Sequence, residues 1–451
     1  MGTEISLRVS GIELISSKNS LGIDHGALFQ DIDHVMIPQH ERFGLEETAA
    51  IDAETRLQWT VLRKPLAEVA DRLELLGFSI EVIRLEYENI VRHEIQQRQM
   101  MVEYYPEQYE PVGPFHSFGE FFDFITHYSL NDFSNEDLKI DYPRRDEADG
   151  ILRKILPESS LQKIPRYDPL EDIAWSEKSA FIGLIDFLHP YSVIRLLSEN
   201  RNNGNEFVEW DYGEIVANGW VHISEINPGA GREESFLIAT EGKSDIHVLT
   251  KAFRLLKPGV ADFFRFIDVT DGHPFSGTGG LSKFAEGLVK IDVQNRIVFV
   301  LDNDSEGVEG FNKITAMKLP HNMGCMCLPD LPEFEQFPTK GPDGLTMANI
   351  NGQAAAIECY LDLNYGQYQN HYVRWTNFKK EIGTYQGALE HKEYYAKRFL
   401  DTPEKKLHDN NYDYSKLEAL LNSVIKTCAK VSAKVRHELI KTHYPNLRDE
   451  E

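Results

Sequence analysis

From residue 235 onward, short apolar runs alternate with helical segments, and that rhythm constrains the fold more than any other feature of the chain. Ser235 to Thr240 (S-F-L-I-A-T), Phe263 to Val269, Arg296 to Leu301 and Met323 to Leu328 read as buried strands. Between them, Ser244 to Leu256, Leu281 to Lys290 and Val308 to Met317 carry apolar residues at helical spacing, with Ser244 a candidate N-cap. Strands alternating with helices of this length predict a parallel sheet with right-handed crossovers, flanked by helices. Ligands of such sheets gather at the carboxyl ends of the strands.

Two acidic motifs fall at those ends. Glu241-Gly242-Lys243-Ser244-Asp245 follows the first strand, and Asp302-Asn303-Asp304-Ser305-Glu306-Gly307 follows the third. Carboxylates gathered at one sheet edge repel each other unless a cation neutralises them. All-oxygen donors suit Mg²⁺ or Mn²⁺, which can bridge to phosphate and activate water for phosphodiester hydrolysis. Acidic residues after strands also cap helices. The order of the two motifs, separated by a complete strand-helix unit, favours a metal site over capping alone.

At 451 residues the chain is long enough for two or three domains. Its net charge of -25 argues against a generally basic nucleic-acid coat, though not against a local basic track. Of the four cysteines only Cys325 and Cys327 are close, and C-M-C is not a zinc spacing. Met1 to Arg8 has no signal pattern and no long apolar run occurs, so the expectation is a soluble, cytoplasmic protein without membrane contact.

Ahead of the sheet region, residues 6 to 17 alternate around Ser10-Gly11 and predict a β-hairpin. The pattern from Asp52 to about Gln99 reads as helical, with one helix ended by Gly77 and a second over Ile80 to Met101. Residues 102 to 180 read as irregular, with core aromatics near Phe121 and a long loop over Pro143 to Pro169. Phe181 to Ser198 reads as a helix, Phe207 to Ile226 as short strands with a turn, and Asn227 to Gly231 as a boundary. Helices are expected at Ala354 to Leu363, Tyr385 to Leu400 and Tyr414 to Tyr444. The last of these places Lys426, Lys430, Lys434, His437 and Lys441 on one face. A stripe of Cys428, Val431, Val435 and Leu439 lies beside it. The basic face, with Lys243 in the first motif, is a candidate nucleic-acid contact. Thr270-Asp271-Gly272 and the turn Gly277 to Gly280 read as structural turns.

E-G-x-x-D followed by D-x-D-x-x-G resembles the Toprim domain shared by topoisomerases, bacterial primases and the overcoming-lysogenization-defect (OLD) nucleases. The resemblance implies that Glu241 acts as general acid/base or metal ligand and that Asp302 and Asp304 hold Mg²⁺. Asp245 matches the second acid of the first motif, and Glu306 a further acid of some OLD-like members. Glu358 in A-I-E-C-Y-L resembles a later helix-borne acid, and Lys392 is the candidate for a lysine near the scissile phosphate.

The first hundred residues (L-R-V-S-G-I-E-L-I-S-S-K-N, A-L-F-Q-D-I-D, D-R-L-E-L-L-G-F) are similar to the N-terminal domain found ahead of HEPN or Toprim domains in prokaryotic conflict systems. HEPN ribonucleases share R-x4-H, and no Arg here is followed five positions later by His; Arg436 and His443 come nearest, at another spacing. That directs catalysis to the Toprim-like part. The G-x-x-x-x-G-K-[ST] motif of complete OLD proteins does not occur, so nucleotide sensing would need a partner.

The expected fold is a Toprim-like α/β parallel sheet flanked by helices, preceded by an α+β N-terminal domain and followed by a C-terminal helix. The boundaries are 1–231 for the HEPN/Toprim-associated domain, 232–400 for the catalytic domain and 401–451 for the helical segment. The expected function is a Mg²⁺- or Mn²⁺-dependent endonuclease of anti-phage defence, with DNA preferred. Its alternatives are a toxin-like ribonuclease using the same site and a non-catalytic assembly module. The expected partners are nucleic acid, a second copy of the chain, or a sensor ATPase.

Overall fold

The computed structural model describes residues 2–37, 53–111, 113–136, 156–166, 176–267, 275, 277–342, 344–365, 370–380, 383–409 and 411–443. The chain divides into two compact units, Met1–Gly229 with Arg436–Glu451, and Ala230–Val435.

In the first unit, β1 (Glu4–Val9) and β2 (Ile12–Lys18) form the expected hairpin. Ser10 and Gly11 both take positive φ, 51° and 82°, which matches the twist of a two-residue turn. With β3 (His34–Met36), β4 (Thr60–Pro65) and β5 (Phe207–Asp211) they make an antiparallel sheet in the order β2-β1-β5-β4-β3. Trp210, on β5, is fully buried. The helix Leu66–Leu76 ends where Gly77 adopts φ 96°, a conformation that costs glycine nothing. The helix Ile80–Tyr104 follows, capped by Ser79.

The structure corrects several expectations here. The stretch from Asp52, read as helical, contains β4, because pairing with β5 and β3 overrides local pattern. The region read as irregular holds the helix Phe118–His127, closed by a Ser117–Glu120 capping box and burying Phe121 and Ile125. Phe181 to Ser198 is not one helix. Glu177–Gly183 and Pro190–Leu197 are separate, since Pro190 starts a helix but cannot continue one. Within the loop expected over Pro143 to Pro169, the described residues 156–166 include a short helix, Glu158–Leu161. Beyond β5, Gly213–Ala217 is helical.

Two histidines, His25 buried and His189 half-buried, are expected to make this unit acid-sensitive. Burial lowers His25 from its ordinary 6.5 to about 4 and His189 to about 3. His189 Nδ1 accepts from the Tyr191 N–H at 3.1 Å and caps Pro190–Leu197, which requires that nitrogen to be unprotonated. Between pH 6.5 and 4 the unfolded chain takes up protons that the folded unit refuses, so stability falls as pH falls through that window. The loss is on the order of 3 kcal/mol per histidine. Thermal melts from pH 7.5 to 4.5 should show the decline, and His189→Asn, which keeps an acceptor but cannot titrate, should remove about half of it.

In the second unit β6 (Phe236–Thr240), β7 (Phe264–Phe266), β8 (Arg296–Leu301) and β10 (Met323–Cys327) form the expected parallel sheet, ordered β10-β8-β6-β7. The crossover helices are Lys243–Leu256, Gly277–Lys290 and Ser305–Thr315. Ala239, Leu281, Ala285, Phe299, Leu301 and Ile314 are core residues between sheet and helices. The helix Ser415–His443 buries Leu417, Leu421, Val424, Cys428 and Val431. It lies against the sheet at Gly324, where a Cβ would come within 2.8 Å of Val431, and at Arg296, which donates to Ser432 at 3.0 Å. Leu439, assigned to the apolar stripe, is instead 60% exposed, and Ile440 is buried beside it.

A second sheet was not legible. Strands β11 (Phe337–Gly341), β12 (Gly344–Ala348), β14 (Val373–Lys379) and β15 (Thr384–Leu389) pair in the order β12-β11-β14-β15. Two-residue strands β9 (Asn303–Asp304) and β13 (Ala354–Ala355) pair beside it. Ala354 to Leu363 is thus not an α-helix but β13 and a 3-10 turn, Ile357–Tyr360. Tyr385 to Leu400 is strand β15 followed by the helix Lys392–Asp401. Among the described residues no helix is long and apolar enough to cross a membrane.

Candidate active site

The carboxyl ends of β6 and β8, neighbours in the sheet, bring the two acidic motifs together. Glu241 follows β6. Its Oε2 accepts from the Thr278 hydroxyl at 2.6 Å and its Oε1 from the Asp302 N–H at 3.3 Å, so the first carboxylate is anchored to the start of the second motif. Asp302 Oδ1 accepts from the Ile357 N–H at 3.0 Å, and Asp245 Oδ2 from the Gly242 N–H at 2.9 Å. Glu358 is buried on the 3-10 turn and accepts from the Ser244 hydroxyl at 3.1 Å. Ser244 is therefore not the N-cap: it lies in the first turn of Lys243–Leu256, and Gly242 occupies the cap position.

Asp304 caps Ser305–Thr315, its Oδ1 accepting from the Gly307 N–H at 2.7 Å while Oδ2 accepts from Gln386 at 2.6 Å. Capping, the rival of a metal site in the sequence reading, is thus made by Asp304, which also stands among the clustered acids. The final glycine of D-x-D-x-x-G has a steric cause. A Cβ on Gly307 would lie 2.0 Å from the Asp302 carbonyl oxygen. Only a bare backbone lets the helix start fold back under the acid it follows.

The electrostatics report the crowding. Burial raises Asp302 well above the ordinary carboxylate range, and Asp245, Asp304, Glu241 and Glu358 add to the rise. Burial, then the Glu358 charge, pushes Asp245 up to about 7, with Lys392 pulling the other way. Glu241 is raised by burial and by the Asp304 and Glu306 charges, and Asp304 by burial and Glu306. Burial and the neighbouring Glu241, Asp304 and Asp302 charges hold the Cys327 thiol up at about 12, so it stays protonated. Among the described residues none of Glu241, Asp245, Asp302, Asp304 and Glu358 forms an ion pair.

Among the described residues no three His, Cys, Asp or Glu side chains are already arranged to hold a metal ion. The donor chemistry nevertheless fits a hard divalent cation. Asp302 Oδ2, Asp245 Oδ1 and Glu358 Oε2 receive no hydrogen bond among the described residues, where none of the three carboxylates is in an ion pair. Glu306, whose charge is felt at Glu241 and Asp304, is exposed and paired with Lys379 at 2.8 Å. Lys392 begins the helix Lys392–Asp401 and is exposed.

The proposed nucleic-acid lysines are not gathered at the carboxylates by any contact. Lys243, Lys426, Lys430 and Lys434 are exposed without a hydrogen bond or ion pair among the described residues, and Lys441 lies 4.0 Å from Glu438. Thr270-Asp271-Gly272 falls outside the described residues, whereas Gly277, Gly279 and Gly280 open the helix Gly277–Lys290. Sequence reasoning missed Thr278 and Gln386. Thr278 sits in the Gly-rich turn already noted, but Gln386 has no local signal, because it reaches Asp304 from a strand 82 residues downstream.

The second unit is of the open α/β class, with acids at the carboxyl ends of adjacent parallel strands. The family is carried by the first unit: the model of the HEPN/Toprim N-terminal domain 1 family matches residues 1–234, about half of the chain, and the chain belongs to that family. No curated protein and no solved structure matches it.

Proposed function

We propose that the second unit is a Toprim-type, Mg²⁺- or Mn²⁺-dependent endonuclease that hydrolyses nucleic-acid phosphodiesters, with DNA as its preferred substrate. The observation that carries this reading is the meeting of the two acidic motifs at the carboxyl ends of β6 and β8, where Glu241 Oε1 accepts from the Asp302 N–H and, among the described residues, neither acid is in an ion pair. Membership of the HEPN/Toprim N-terminal domain 1 family supports a nuclease-associated protein; the place of that activity in anti-phage defence is part of the proposal and rests on the sequence resemblance alone.

In this reading Asp302, Asp304, Asp245 and Glu358 hold the cation, which when bound polarises the phosphate and lowers the pKa of water. Glu241, its carboxyl raised by burial and oriented by Thr278, takes a proton from the attacking water and returns it to the leaving oxygen. Lys392 offsets charge at Asp245. A second copy of the chain or a partner ATPase supplies control.

The test is cleavage of plasmid, single-stranded DNA and total tRNA by the full chain, beside Glu241→Ala and Asp302→Ala. The wild type should cut DNA with Mg²⁺ or Mn²⁺, and both variants should lose about a thousandfold in rate. Variants that cut as well as wild type would sink the proposal; cleavage of tRNA alone would make the protein a ribonuclease. Divalent metal should also raise the melting temperature, because at a hundredfold excess over Kd a ligand stabilises by about 2.7 kcal/mol. Calorimetry showing no Mn²⁺ binding to the wild type would leave an assembly module.

A further inference from the structure

Strands β14 and β15 lead from the carboxylates to an exposed aromatic surface. On β15, Gln386 donates to Asp304 at 2.6 Å, and the backbone oxygen of Tyr385 accepts from the Ser305 hydroxyl at 2.8 Å. On β14, Lys379 reaches Glu306 at 2.8 Å. The residues next to these contacts are large and open to solvent: Tyr385 is 55% exposed and Phe378 49%. They are cross-strand partners, with ring centroids 5.1 Å apart, and Trp375 lies 6.2 Å from Tyr385. Lys380, directly after the Phe378–Lys379 pair, is exposed and makes no ion pair among the described residues. An exposed aromatic cluster flanked by lysine and joined by short contacts to a cluster of acids has the two parts that grip a single strand, a π-face for a base and cations for its backbone.

We propose that Phe378 and Tyr385 stack an unpaired base next to the scissile phosphate, so that the nuclease site takes single-stranded nucleic acid or an unpaired segment of it. This rests on the nuclease reading of the carboxylates. A base inside a duplex has both faces covered by its neighbours and cannot reach such rings. The exposed Lys380 matches a phosphate backbone and gives an apolar partner nothing to pair with.

The test uses the full chain with Ca²⁺ in place of Mg²⁺ and labelled oligothymidylate, oligouridylate and a duplex of equal length. Phe378→Ala/Tyr385→Ala should weaken single-strand binding between about fivefold and 150-fold while leaving duplex binding unchanged. Its Mn²⁺ affinity and melting temperature should match wild type, which separates stacking from hairpin stiffening by the aromatic pair. Single strands carrying 5-iodouracil should photocrosslink in wild-type protein to peptides within residues 373–389, a result that does not depend on how the variant folds.

Unchanged single-strand affinity, an equal loss for duplex, or crosslinks only elsewhere would overturn the inference. So would a fall in molecular mass of the variant by light scattering at unchanged oligonucleotide affinity, which would mark the face as a contact between copies. If Asp302→Ala abolishes cleavage while the aromatic variant behaves as wild type, this inference alone fails. If Asp302→Ala leaves cleavage intact, the nuclease reading fails first.

Discussion

Asp302→Asn is expected to abolish metal-dependent cleavage and, in the same preparation, to raise the melting temperature of the metal-free protein. Asp302 sits where burial and four acidic neighbours all oppose its charge. Asparagine keeps the shape and can still accept from the Ile357 N–H through its carbonyl oxygen, the bond that Asp302 Oδ1 makes at 3.0 Å. It removes one charge from a crowded acidic cluster and so relieves repulsion that the folded state carries and the extended chain does not. A gain of roughly 1–2 kcal/mol would shift a unit of this size by several degrees. The sign reverses when metal is added, because wild type gains a ligand's stabilisation that the variant cannot match. Melts in EDTA and in Mn²⁺ would show the two curves crossing. A variant less stable than wild type in EDTA would mean that Asp302 is structural and not held against its neighbours' charge.

Gly307→Ala is expected to be the most damaging single-methyl change in the second unit. The added Cβ would stand 2.0 Å from the Asp302 carbonyl oxygen and 3.1 Å from its nitrogen. These are backbone atoms, so no side-chain rotation relieves the clash, and either the helix Ser305–Thr315 or the Asp302–Asp304 turn must move. The cost should be ~3 kcal/mol or more. Because Asp304 accepts from the Gly307 N–H, the displacement also carries Asp304 away from its place, and Mn²⁺ binding should be lost together with stability. The control is Gly287→Ala, in the helix Gly277–Lys290, where a Cβ meets nothing within 4 Å. That change should be stabilising by about 0.5–1 kcal/mol. Denaturant melts of both variants would check the contrast, and equal small effects would refute the steric account of the motif glycine.

Local chemistry made much of the fold legible. Runs such as Arg296–Leu301, buried on both faces, can only be inner strands of a parallel sheet, so the strand-helix rhythm and the acids at its ends could be read directly. Ser10-Gly11 and Gly77 were legible for a similar reason, since their positive φ angles are demands that few residues meet. What misled was a short segment whose state depends on a distant partner. Thr60–Pro65 is a strand because β5, some 140 residues later, pairs with it. Thr384–Leu389 carries no local mark of the strand it forms against β14.

The candidate site divides the same way. That Glu241, Asp245, Asp302 and Asp304 fall at the sheet's carboxyl edge was legible in the sequence, because they follow the last residues of apolar strands, Thr240 and Leu301, by one to five positions. Only the tertiary structure decided that Glu306 turns out to pair with Lys379, that Glu358 reaches the cluster from a 3-10 turn and not a helix, and that Gln386 and Thr278 hold Asp304 and Glu241 in place. The reason is physical: sequence spacing places a residue along its own element, but which side chain meets it across space depends on how that element packs against others far away in the chain.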